Sequence, residues 1–159
     1  MVGRPAAVSF RELVVWQKAH RFVLDVYRFT AGFPKHEQYG LVSQMRRAAV
    51  SIPANIAEGF GRHATKEYLR FLFIARGSIA ETQSHLLVAA AAGLLSQSDC
   101  TALCDLCDSA RMTLHGLVRR LRQRLDAGSV AEAATLYADV ASPEDLLGVR
   151  TDPVSYLED

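Results

Sequence analysis

The sequence predicts an all-α protein: an antiparallel up-down-up-down four-helix bundle with a short acidic C-terminal extension. Three observations lead there. Apolar residues recur at spacings of three and four through four long segments, the period of a helix that buries one face. Start and stop signals leave only short connections between these segments, so consecutive helices are expected to run antiparallel. Half of the 159 residues are hydrophobic, enough for one sizeable core.

The first helix opens on a capping box, Ser9 with Glu12, flanked by Val8 and Leu13 as a hydrophobic staple. Val15, Ala19, Phe22, Val26, Phe29 and Phe33 form its buried stripe, widened by Leu13, Trp16, Val23 and Tyr27. Arg11, Lys18, Arg21, Asp25 and Arg28 are expected to face solvent, and Gly32 and Pro34 to end the helix. The second helix is expected from about Glu37 to Gly59, with Leu41, Met45, Ala48, Ile52 and Ile56 inside. Pro53 lies within it, removes one backbone donor and predicts a kink near Ala49 to Pro53.

The third helix is expected from about Lys66 to Ala92, capped by Thr65. Its core stripe is Tyr68, Leu72, Ala75, Ile79, Leu86 and Ala89, beside a strip of small residues at Gly77, Ala80, Ser84 and Ala91. Gly93 ends it, and 94–98 makes a short turn. The fourth helix is expected from about Asp99 to Leu125 on a seam of Leu103, Cys107, Ala110, Leu114, Leu117, Leu121 and Leu125. Residues 9–125 therefore form the bundle. Residues 126–159 form a weakly helical tail, with a capping box at Ser129 and Glu132 and a helix start at Ser142-Pro143.

No run of about 18 uncharged apolar residues is present, so no membrane span is expected. The first nine residues lack the apolar core of a signal peptide, and an odd number of cysteines argues against a disulfide framework. A cytoplasmic location is the expectation. The formal net charge of +1 conceals an asymmetry. Residues 1–125 carry 17 Lys/Arg and 9 Asp/Glu, whereas 126–159 carry 1 Arg and 8 Asp/Glu. A basic body suits a polyanionic partner, and an acidic tail is placed to compete for the same surface.

No catalytic constellation emerges. Glu81 and His85 stand one turn apart with no nucleophile to accompany them. Cys100, Cys104 and Cys107 share a helix face but lack a fourth ligand, so neither a metal nor a cofactor is expected, and thiols bordering an apolar seam behave as small hydrophobes. Gly59-Phe60-Gly61 lacks the Lys and Ser/Thr of a phosphate loop.

Two polar features stand out instead. On the second helix, Gln44, Arg47, Ser51, Asn55 and Glu58 repeat at helical spacing, continuing to Arg62. Short hydrogen-bonding groups suit either a helix–helix or subunit interface with a satisfied network or a recognition face; the flanking alanines favour the interface, and Asn55 and Glu58 are expected to be partly buried. The second feature is basic. Arg46, Arg47, Arg62, Lys66 and Arg70 surround the turn between helices two and three, and Arg119, Arg120, Arg122 and Arg124 end the fourth helix. These two sets are expected at opposite ends of the bundle, contacting mainly phosphates, with Phe60 and Tyr68 as the aromatics nearby.

The run at 37–59, which ends Ser-Ile-Pro-Ala-Asn-Ile-Ala-Glu-Gly, resembles the signature of the bacterial four-helix bundle protein family. That family includes proteins encoded by intervening sequences in large-subunit ribosomal RNA genes. Phe10–Ala19, Glu67–Leu72 and Ala75–Glu81 agree with it, so the resemblance covers about residues 9–125. It implies an antiparallel bundle, a homopentamer and no enzymatic activity. A related branch, the accessory proteins of diversity-generating retroelements, binds nucleic acid and a reverse transcriptase. Two functions follow as expectations: an oligomeric accessory factor that binds RNA or DNA, or an oligomeric protein-binding scaffold with no nucleic-acid role.

Overall fold

The computed structural model describes residues 7–62 and 64–126. Four helices carry the fold: α1 (Val14–Thr30), α2 (Leu41–Phe60), α3 (Thr65–Ala91) and α4 (Gln97–Asp126). They pack in cyclic order, α1 on α2, α2 on α3 and α3 on α4, and α4 closes the ring against α1. Contacts between α3 and α4 pair late residues with early ones. The Cys100 thiol faces the Leu86 carbonyl at 3.6 Å, and the Cys107 thiol faces the Ile79 carbonyl at 3.8 Å. The helices alternate in direction, as the short connections require.

The core is continuous along the bundle. Phe22, Met45, Ile52, Ile56, Tyr68, Leu72, Leu86, Leu103, Leu114 and Leu117 are among its largest fully buried side chains. The apolar stripes expected on α3 and α4 are buried from Tyr68 to Ala89 and from Leu103 to Leu121.

Local details differ from the expectation where capping chemistry decides. Ser9 does cap, accepting from the Arg11 amide at 3.3 Å, but it caps a short 3-10 turn at Phe10–Glu12. Glu12 accepts from the Val8 amide at 3.1 Å, one residue before the expected partner. The extended backbone of Leu13 then separates this turn from α1. A second 3-10 turn, Lys35–Glu37, precedes α2, which begins at Leu41, later than expected. The Glu37 carboxylate accepts from the Leu41 amide at 3.3 Å, acting as a cap from outside the helix. Helix α2 is continuous through Pro53. Thr65 is the first residue of α3 and not its cap; that place falls to Ala64, which offers no side-chain acceptor.

Gly93 ends α3 with φ +72°, a conformation that costs glycine nothing. The Leu94 amide donates to the Ala89 carbonyl and the Gly93 amide to the Ala90 carbonyl, which together make a Schellman cap. Ser96 starts α4 two residues earlier than expected, accepting from the Asp99 amide at 3.1 Å. Asp25, expected in solvent, is only 4% exposed: Arg21 Nε at 3.2 Å and Arg28 Nη2 at 2.9 Å fold over its carboxylate from one turn on either side. The tail expectations at 129–159 lie outside the described residues. Among the described residues, no helix is long and apolar enough to cross a membrane.

Candidate nucleic-acid interface

Three reversals of direction decide where the basic residues lie. Helix α2 ends and α3 begins at one end of the bundle, and α4 returns to that same end. The two basic sets expected at opposite ends are therefore neighbours. The direct contact is Arg122 of α4, whose guanidinium stands 4.9 Å from the ring centre of Phe73 on α3. Arg76 stands at 5.0 Å from the same ring. Two residues earlier, on the side of α3 that faces the end of α2, Arg62 at 5.1 Å and Arg70 at 5.7 Å share the ring of Phe71. Such contacts contribute about 0.5–1 kcal/mol each at exposed sites.

Lys66, Arg70, Arg119 and Arg122 are exposed, and Arg120 is half-buried. The backbone of Arg124 belongs to α4, but its side chain lies outside the described residues. Two carboxylates temper the cluster. Glu58 pairs with Arg62, and Glu67 lies 3.6 Å from Arg70. Both pairs are solvent-exposed, worth about 0–1 kcal/mol, so a phosphate can displace them. Between Lys66 and Arg70, the side chains of Leu69, Phe73 and Ile74 line a shallow apolar depression.

Arg46 and Arg47 do not join this end. Arg46 sits near the start of α2, donating to Thr30 Oγ1 at 2.8 Å and to the Tyr27 carbonyl at 3.4 Å, with its guanidinium 4.6 Å from the Tyr27 ring centre. It ties α2 to the end of α1, where a cation also suits the helix dipole. Arg47 is exposed beside it, in an open depression that includes Tyr39, Val42 and Val50.

The aromatics also differ from the expectation. Tyr68 is 1% exposed and cannot offer a face to a ligand, whereas Phe60, like Phe73, is partly buried against the core. Phe71 and Phe73 take that place, with Arg76 as a further cation. A usable signal was present, since Arg70, Phe73 and Arg76 are spaced three apart and so share one helix face.

The polar stripe on α2 divides along its length. Asn55 Nδ2 donates to the Ser51 carbonyl at 2.7 Å and to Ser51 Oγ at 2.9 Å. Ser78 Oγ of α3 donates to Ser51 Oγ at 2.9 Å, so Ser51 joins the two helices. Gln44, Arg47 and Glu58 are exposed; Glu58 turns outward to Arg62 and is not in the buried network expected for it.

Cys100 and Cys107 are buried in the core, and Cys104 lies at its margin. Burial pushes the Cys104 thiol up to about 11, and burial pushes Cys107 up to about 12. Both are protonated at neutral pH, unlike reactive thiolates. Glu81 and His85 lie 3.7 Å apart. Among the described residues, no group of three or more His, Cys, Asp or Glu side chains could hold a metal ion.

Comparison with known proteins agrees with this architecture. A solved structure from Bacteroides thetaiotaomicron, described as a protein of unknown function from the S23 ribosomal protein family, superposes with a TM-score of 0.61. It is 19% identical and covers 67% of this chain and 99% of its own, a likeness of fold. No curated protein matches the chain. The family model of the 23S rRNA-intervening sequence proteins matches residues 11–116, from the first turn of the bundle well into α4, and the chain belongs to that family.

Proposed function

We propose that this protein is a non-enzymatic helical-bundle accessory factor that binds RNA or DNA through the basic end of the bundle. One observation carries the reading: cations from α3, α4 and the residues just after α2 gather at one end of the bundle, Arg62 and Arg70 on Phe71, Arg76 and Arg122 on Phe73, with Lys66 beside Arg70. Guanidiniums suit phosphate oxygens, and aromatic side chains can stack on any base. The family's association with ribosomal RNA genes is consistent with such a partner.

The protein acts in this reading as a homo-oligomer, with five copies as the resemblance implies. Supporting it, α2 and α3 expose Val50 at 41% and Val88 at 51%, and nothing lies within 4 Å of where a Cβ on Gly77 would stand. The same exposed apolar residues favour the second reading, a protein-binding scaffold.

Fluorescence anisotropy of the full chain with labelled single-stranded RNA and duplex DNA, between about 50 and 200 mM salt, tests the proposal. Affinity should fall steeply with salt, and Arg70→Ala or Arg122→Ala should each reduce the log–log salt slope by about 1. Absence of binding at low salt, or binding indifferent to these arginines, would sink the nucleic-acid reading and favour the scaffold. Light scattering that returns a monomer mass would sink the oligomer.

A further inference from the structure

The depression between Lys66 and Arg70 is more apolar than phosphate binding requires. Its floor is Leu69, Phe73 and Ile74, with Ile74 42% exposed, and its rim is cationic. Such a surface matches a short segment that carries carboxylates and large aliphatic side chains together. The tail offers such a segment at Glu144-Asp145-Leu146-Leu147, where two adjacent carboxylates adjoin two leucines. We propose that this segment docks on the depression, its leucines against Phe73 and Ile74 and its carboxylates against Lys66 and Arg70, and so occludes the basic end.

Placement and reach support this occupant. Helix α4 ends at Asp126, one turn beyond Arg122, and Arg122 already touches Phe73. The 17 residues between Asp126 and Glu144 span about 25 Å if helical and up to about 60 Å if extended. The depression itself, from Lys66 to Ile74, covers only about 12 Å of α3. Charge agrees as well: residues 127–159 carry 7 Asp/Glu and 1 Arg, opposite in sign to the patch. A tethered segment needs little intrinsic affinity, because its effective concentration near its own bundle is in the millimolar range.

The inference shares its surface with the nucleic-acid reading but does not depend on it, and its test contains no nucleic acid. Hydrogen exchange of the full chain, followed by mass spectrometry at about 50 mM salt, compares the parent with a Lys66→Glu/Arg70→Glu variant. The sequence of the 144–147 segment is the same in both, so its intrinsic exchange rates are the same. Docking predicts that the peptide containing it exchanges roughly five- to tenfold faster in the variant. Adding Glu144→Lys and Asp145→Lys to that variant should restore slow exchange by exchanging the two signs. Circular dichroism of each variant establishes that the bundle is intact. Equal exchange of the segment in parent and variant would overturn the proposal, as would failure of the sign-exchanged protein to recover protection.

Discussion

Gly59 packs directly against Tyr68 and Phe71 of α3, and adding one methyl group there has a calculable outcome. A Cβ on Gly59 would lie 2.6 Å from Tyr68 Cδ2, 2.9 Å from Phe71 Cβ and 3.0 Å from Tyr68 Cε2. Ordinary carbon contacts begin near 3.4 Å, so the ring or the helix must move by most of an ångström. Tyr68 is 1% exposed, so its ring has no free space to swing into. Overpacking of this kind costs about 1–3 kcal/mol. Replacing helical Gly by Ala returns up to about 1 kcal/mol, less near a helix end. The net expectation for Gly59→Ala is destabilisation of about 1–2 kcal/mol, or roughly 2–8 °C in melting temperature for a chain of this size. Gly77 supplies the control: nothing lies within 4 Å of its built Cβ, so Gly77→Ala should gain about 0.5–1 kcal/mol. Thermal and urea melts of both variants, monitored by circular dichroism, measure the contrast. A Gly59→Ala protein that melts at or above the parent temperature would refute the close-packing argument.

Ser51→Ala removes the shared acceptor of Asn55 and Ser78, and should cost about 1 kcal/mol in urea melts, because Ser78 keeps its bond to the Ile74 carbonyl at 3.2 Å. Asn55→Ala should cost less, about 0.5–1 kcal/mol, because both of its bonds go to Ser51 one turn away. Arg46→Ala should lower stability by about 1 kcal/mol, through Thr30 and Tyr27, while leaving anisotropy isotherms with nucleic acid unchanged. Cys107 links stability to alkaline pH. Its folded pKa of about 12 stands above the ordinary 9.0, so its stabilisation is complete below pH 9 and is lost as pH rises toward 12. Cys107→Ala should therefore show a shallower fall in stability than the parent between about pH 9 and 11 in chemical melts.

Much of the fold was legible because burial imposes a period. The stripes of α3 and α4 needed only their spacing, and Gly93 and Ser9 announced a stop and a cap through their own chemistry. What remained hidden depended on side chains reaching across a turn. Asp25 reads as a solvent-facing residue of an amphipathic helix; only the arginines at 21 and 28 closing over it make it buried. Glu37 caps α2 from a preceding 3-10 turn, which no simple helix-start rule anticipates. The basic residues were visible, but their grouping was not. It follows from counting helix reversals, which bring α4 back beside the start of α3. Arg46 shows the converse: its charge suggests a ligand, and its contacts with Thr30 and Tyr27 give it a structural use.

The short connection between α2 and α3 also sets an order of events in time. Only residues 61–64 separate these helices, whereas α1 and α4 meet across almost the whole chain. Closing a short loop costs little chain entropy, so the α2–α3 hairpin is the cheapest tertiary unit to assemble and is expected to form the folding nucleus. Gly59, packed between the two helices, then belongs to the transition state, and Gly59→Ala should slow folding more than it speeds unfolding. Leu117→Ala, in the buried seam of α4, should act mostly on the unfolding rate. The same four-residue turn that gathers the arginines would then also be where the bundle begins.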